Sequence, residues 1–285
     1  MGDVRLAMED VHLRRGDARL LRGVSWRVHA DEHWAVLGPN GSGKTTLVLT
    51  AMGYVPASRG RVFLVDGWLS EIVLPEARRK VGFVSAALSD VLLVRHPRAG
   101  GLEVVLGGRH ASVGLYERPR DEDVQRGRRL LEQMGAGRLA DHAFALMSTG
   151  ERQICLVARC RMADSRLVIM DEPCAGLDIG ARESVLGALD AACRDADQAP
   201  HVLITHHPGE IVPGISHVLL LKAGAVVAQG RREAALTEGA LSETYGLPLE
   251  VIHRNGRVLI APRGIPLEAA PPGPSVTGRP PVAPP

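Results

Sequence analysis

The octapeptide GPNGSGKT, Gly38 to Thr45, constrains this chain more than any other stretch. It fills G-x-x-x-x-G-K-[ST] at every fixed position, follows the apolar run WAVL and leads into the helix-patterned TTLVLTAMG. In that context the glycines let successive backbone N–H groups curl toward one anion. The following helix dipole adds partial positive charge, and Lys44 reaches the outer phosphates of a nucleotide. Pro39, Asn40, Gly41, Ser42, Gly43 and Thr46 complete the cradle, and the Thr45 hydroxyl is expected to meet Mg²⁺. The bland alternative is a glycine-rich turn that binds nothing.

A strand, loop and helix of this kind belong to an α/β sheet, and the rest of the chain has the apolar content to build one. Of 285 residues 45% are apolar, and 34 basic against 32 acidic side chains leave a net charge of +2 with no block of like charge. That balance gives no electrostatic footprint for nucleic acid, so no direct nucleic-acid partner is expected. Lysine occurs only at 44, 80 and 222, which sets Lys44 apart in a chain that otherwise uses arginine. No run approaches the ~18 apolar residues of a membrane span, and the first residues lack the apolar segment of a signal peptide. A cytoplasmic location is expected, with docking at the inner face of the cell membrane allowed. Cys155, Cys160, Cys174 and Cys193 form no C-x-x-C pair and read as reduced, mostly buried thiols.

From Val4 to His29 short alternating runs such as Val24, Trp26 and Val28 predict an antiparallel, half-buried sheet. Strands follow at Arg61 to Val65 and in VGFVS at 81 to 85, and the pattern from about 86 to 163 turns helical. There DEDVQRGRRLLEQMG opens on acidic residues, keeps Val124, Leu131 and Met134 on one side and ends at Gly135. Continuous apolar runs return in RLVIMDEP (166–173), HVLITHH (201–207) and HVLLLKAG (217–224), as in the interior of a mostly parallel sheet. Residues 261–285 hold 9 of the 19 prolines and predict a disordered or extended tail.

LVIMDEP carries the second chemical element. Its apolar residues make a strand, and Asp171 and Glu172 emerge at the carboxyl end, where open α/β sheets bind ligands. Asp171 is placed to hold Mg²⁺ through water, and Glu172 to orient the water attacking a γ-phosphate. A solvated turn or helix cap is the competing reading. MSTGERQ, 147–153, starts a helix with a capping box of Ser148 and Glu151.

The order of Gly38 to Thr46, MSTGERQ, LVIMDEP, AGLD and ITHH resembles the ATP-binding-cassette (ABC) ATPases over residues 4 to 260. The resemblance implies a P-loop NTPase core with a mostly parallel sheet, an N-terminal antiparallel β subdomain and an inserted α-helical subdomain at about 86–163. Residues 1–260 would form the ATPase domain. MSTGE stands where the family has a signature close to LSGGQ, with Ser148 and Gly150 retained and Thr149 and Glu151 as departures. By resemblance this helix start meets the γ-phosphate of ATP held on the P-loop of a second protomer, so that two copies, or two different cassettes, enclose two nucleotides head to tail. Asp178 then matches the loop joining the two sites, and His206 the switch histidine; a polar cap at a strand end is the plainer reading of that histidine.

Two positions depart from the family. Arg15 stands where many members place an aromatic that stacks on adenine. It either stacks its guanidinium on the base or is a solvated hairpin arginine. Ala86 replaces the glutamine of VGYVPQ, which touches Mg²⁺ or the attacking water and relays nucleotide state to a partner; Ser85 and Ser89 are the nearby hydroxyls. The V-S-x-x-L form together with STGE resembles a subset similar to the ModF molybdate-associated group. The implied function is an ATPase subunit of a membrane transporter with separate membrane subunits, docked around Phe83 to Ser89. The alternative is a soluble ABC ATPase with a regulatory or nucleic-acid maintenance role.

Overall fold

Twelve strands and nine α-helices are seen in the computed structural model, which describes residues 3–110, 118–163 and 165–264. The alternating N-terminal runs form β1 (Val4–Arg15) and β2 (Ala18–His29), which pair antiparallel, with β4 (Arg59–Leu64) on the other edge of β1 and β5 (Gly67–Trp68) beyond it. Val24, Trp26 and Val28 face inward from this sheet and are buried.

The second sheet contains β3 (Trp34–Leu37), β6 (Val81–Val84), β7 (Leu167–Asp171), β8 (His201–Thr205), β9 (His217–Lys222) and β10 (Ala225–Arg231) in the order β10-β9-β3-β8-β7-β6. Its strands are parallel except β10, which returns antiparallel through a turn at Ala223 and Gly224. Both faces are covered, which is why β3 and β8 are buried along their whole length and read as unbroken apolar runs. Val36, Val202 and Ile204 point to one side, where they meet Leu47 and Val48 of α1 (Lys44–Ala51) and the underside of the antiparallel sheet. Leu37 and Leu203 point to the other, into a core built with later helices.

After α2 (Leu74–Arg79) the chain is mainly helical: α3 (Ala86–Arg95), α4 (Gly101–Leu106), α5 (Asp121–Gln133) and α6 (Thr149–Met162). α5 starts on three acids that suit a helix N-terminus, buries Leu130 and Leu131, and is followed by Gly135 at φ +68°. Then come α7 (Ile179–Arg194), whose Leu186 and Leu189 pack beneath the parallel sheet, and α8 (Arg232–Ala235) and α9 (Glu238–Tyr245).

The described residues end on a hairpin of β11 (Leu249–Arg254) and β12 (Arg257–Pro262). Ala261 pairs with Glu250 and Pro262 with Leu249, so the first two residues of the 261–285 segment are extended. Proline is tolerated at the end of an edge strand, where no ladder donor is required of it. The proline-rich tail from 265 onward lies outside the described residues. Among the described residues, no helix is long and apolar enough to cross a membrane.

Candidate functional site

Three neighbouring strands bring the sequence motifs to one edge of the sheet. β3 and β8 register Leu37 opposite Thr205, and β7 and β8 register Asp171 opposite Ile204. Gly38, Glu172 and His206 therefore leave adjacent strand ends together, on the carboxyl side where such sheets take ligands.

The P-loop turns tightly against β9. A Cβ on Gly38 would lie 2.2 Å from the Leu221 carbonyl oxygen, so the first glycine is a packing requirement. Gly41 and Gly43 take φ of +76° and +102°, the left-handed values that curl the loop. Gly224 donates its amide to Ser42 O at 2.8 Å and ties the β9–β10 turn to the loop. Lys44 is buried, and its Nζ donates to Gly38 O at 2.9 Å and Pro39 O at 3.1 Å. Burial lowers the Lys44 pKa, while the carboxylates of Glu172 and Asp171 act to keep its charge. An open cavity of about 410 Å³ lies over the loop, walled by Asn40, Gly41, Gly43, Lys44, Thr45 and Thr46, with Glu172 on one side.

Asp171 bonds the Thr45 hydroxyl, and burial raises its pKa against the effect of that bond. Its Oδ1 is buried with no hydrogen-bond partner. A hydroxyl beside a carboxylate with a spare oxygen fits a hard cation such as Mg²⁺. Glu172 sits at φ +51°, a conformation rare outside glycine, with its amide donating to Ile204 O at 3.0 Å. That kink brings its Oε1 within 3.0 Å of His206 Nδ1. The Tyr245 hydroxyl donates to His206 O at 2.9 Å and anchors the histidine from α9, while the His207 ring lies against that of His206 at 3.9 Å between centroids.

The start of α6 forms a separate surface. Ser148 N–H donates to Glu151 Oε2 at 2.8 Å, and Glu151 N–H donates back to Ser148 Oγ at 3.3 Å, completing the capping box. Arg138 bonds the other Glu151 oxygen at 2.5 Å. The Ser148 amide first, and Arg138 after it, hold this carboxylate below its ordinary range. Gly150 leaves room for Leu177, and Gly176 for Thr149. The helix start thus packs beside Asp178, which caps α7 by accepting from Ala181 N at 2.8 Å. Ser148 and Asp178 are exposed, flanked by Leu146 and Ile179 at 76% and 83% exposure. Neither Ser148, Gly150 nor Asp178 lines the cavity over Lys44.

Arg15 is exposed at the first hairpin and does not line that cavity; Arg19 and Arg22 do, together with Leu20, Ala223 and Gly224. These five were missed in the sequence because they come from β2 and from a turn about 200 residues later. Gly224 carries a signal only in retrospect: a Cβ there would lie 2.3 Å from Leu20 O. Ser85 is buried ahead of α3, and neither it nor Ser89 lines the cavity. The Ala86 side chain lies outside the described residues.

This arrangement is that of a P-loop NTPase of the ATP-binding-cassette fold. The ABC transporter family model matches residues 21–175. The ABC transporter ATP-binding protein YlmA of Bacillus subtilis is 37% identical over 254 residues, covering 88% of this chain and 95% of YlmA. The hemin import ATP-binding protein HmuV of Streptomyces coelicolor is 32% identical over 272 residues, covering 93% and 92%. Among solved structures, the dimeric post-hydrolysis state of the cassette MJ0796 bound to ADP and Pi superposes with a TM-score of 0.67 at 21% identity, over 79% of this chain and 98% of that one. The chain belongs to the ABC transporter family of ATP-binding proteins. It is an ATPase subunit that powers a transporter.

Proposed function

We propose that the chain works as a head-to-tail dimer, with each ATP held between the P-loop of one copy and the Ser148 helix start of the other. The carrying observation is the separation of the two halves: Lys44 faces its own cavity, while Ser148, Gly150 and Asp178 sit together on another exposed surface. A second copy of this chain, or a related cassette, supplies the missing half.

Within one half, the loop amides and Lys44 bind the phosphates, with Asn40, Gly41, Ser42, Gly43 and Thr46 shaping the cradle around Gly38 and Pro39. Thr45 and Asp171 would hold Mg²⁺, which when bound screens the phosphate charge. Glu172 takes the proton of the attacking water and His206 orients Glu172 through the 3.0 Å contact. In the closed dimer, the Ser148 hydroxyl and the N-terminal amides of α6 face the γ-phosphate, where a helix dipole favours negative charge. Arg19 and Arg22, which line the cavity, meet the rest of the nucleotide, with Arg15 at the hairpin beside them.

Integral membrane subunits dock from the membrane's inner face on the cleft of about 350 Å³ where Tyr54, Arg78, Phe83 and Leu88 meet the helical region. Membership in the ModF-like subset rests on the Val84-Ser85 form and STGE.

Mixing two inactive variants tests the shared site. Ser148→Arg and Lys44→Ala each lose turnover alone, and a mixture regains activity, up to about a quarter of wild type for random pairing, since each mixed dimer has one intact site of two. A mixture no more active than its components would overturn the shared site.

A further inference from the structure

At the edge of the parallel sheet opposite the P-loop, three donors of softer chemistry meet. His33 immediately precedes β3, His201 opens β8 and Cys193 lies in the last turn of α7. One ligating atom from each lies within 4.8 Å of the other two. Strand register dictates the histidine pair: Trp34 pairs with Val202, so the residues before them are neighbours. His33 is fixed from behind, donating its amide to Ser216 Oγ at 3.0 Å and accepting from the His217 amide at 2.9 Å.

Both rings are buried, His201 to 2% exposure. The His201 amide donates to His33 Nδ1 at 3.1 Å, a bond that His33 would exchange for the cation on ligating through this nitrogen. His201 Nδ1 is buried and has no hydrogen-bond partner. Two packed core histidines account for His33 but leave a polar nitrogen of His201 buried unmet, which is costly.

We propose that His33, Cys193 and His201 form a site for a borderline divalent cation of the Zn²⁺ class, distinct from the nucleotide site. Imidazole and thiolate donors suit Zn²⁺ rather than Mg²⁺. With Zn–N and Zn–S bonds of about 2.1 and 2.3 Å, tetrahedral ligand atoms lie about 3.5 Å apart, so side-chain shifts of about an ångström complete the site. Three protein ligands leave a fourth position for water. Asp190, one turn before Cys193, is already engaged by the Gly214 amide at 2.7 Å and Arg194 Nε at 2.9 Å. On coordination the Cys193 S–H bond breaks, the S–metal bond forms and the proton leaves to solvent, with no change of oxidation state. The ion would tie the end of α7 to the starts of β3 and β8, the strands whose far ends carry the P-loop and His206.

The test is titration of the full chain, free of nucleotide and Mg²⁺, with Co²⁺ as a spectroscopic probe. One equivalent should produce a thiolate-to-cobalt charge-transfer band in the near ultraviolet, displaced by Zn²⁺, kept in Lys44→Ala and lost in Cys193→Ser. Thr45 and Asp171 offer only oxygen and give no such band. Should Cys193→Ser fail to fold, His33→Gln keeps the band but weakens Co²⁺ binding at least about tenfold. Absence of the band at saturating Co²⁺ in the wild type, its persistence in Cys193→Ser, or unchanged affinity in His33→Gln would overturn the proposal.

Discussion

Lys44→Ala lowers ATP turnover by at least about 100-fold, the loss typical of removing one preorganised charge donor at a reacting centre. Nucleotide affinity falls with it, measurable by titration with a fluorescent ATP analogue. The size of the effect follows from where the ammonium sits. It is buried, donates to the carbonyls of Gly38 and Pro39, and is flanked by the carboxylates of Glu172 and Asp171. An anion arriving at the loop therefore meets a desolvated positive charge without having to strip it of water. The substitution also frees two carbonyl oxygens, so its circular dichroism and melting temperature are compared with wild type. Retention of fold with loss of binding assigns the effect to the charge.

Glu172→Gln separates binding from chemistry. Turnover falls by roughly 10²–10⁴-fold, the range for loss of a general base, while ATP affinity stays within about threefold. Glutamine keeps the size and one oxygen of glutamate, so the 3.0 Å contact with His206 survives, but the amide cannot take a proton. The left-handed backbone at Glu172 holds that side chain against His206, so a near-isosteric change perturbs chemistry rather than position. Single-turnover hydrolysis with excess enzyme reads the step directly. Equal rates for the variant and wild type would remove Glu172 from the reaction.

The elements whose chemistry is local were the legible ones. The P-loop glycines, the run LVIMD and the Ser148 capping box each encode their conformation within a few residues, and each lies where its pattern places it. What the sequence hid depends on register and on contacts between distant segments. Arg15 holds the family position, while Arg19 and Arg22 of the neighbouring strand line the cavity wall. The β11–β12 hairpin escaped notice because its strands are short and half exposed, so alternation is weak there. The positive φ of Glu172 has no sequence signature, since any rule would have assigned glycine. Cys193 read as a plain buried thiol because no second cysteine stands at metal-ligand spacing, and its histidine neighbours arrive from two other strands.

If one chain carries two halves of different ATP sites, solution mass reports it. With ATP present, Glu172→Gln sediments at twice the monomer mass, and without nucleotide at the monomer mass. Adding Ser148→Arg to Glu172→Gln returns the protein to monomer with ATP still bound, because the arginine blocks only the half offered to the partner. A double variant that remains dimeric with ATP, or a Glu172→Gln protein that stays monomeric at saturating ATP, would contradict the shared site.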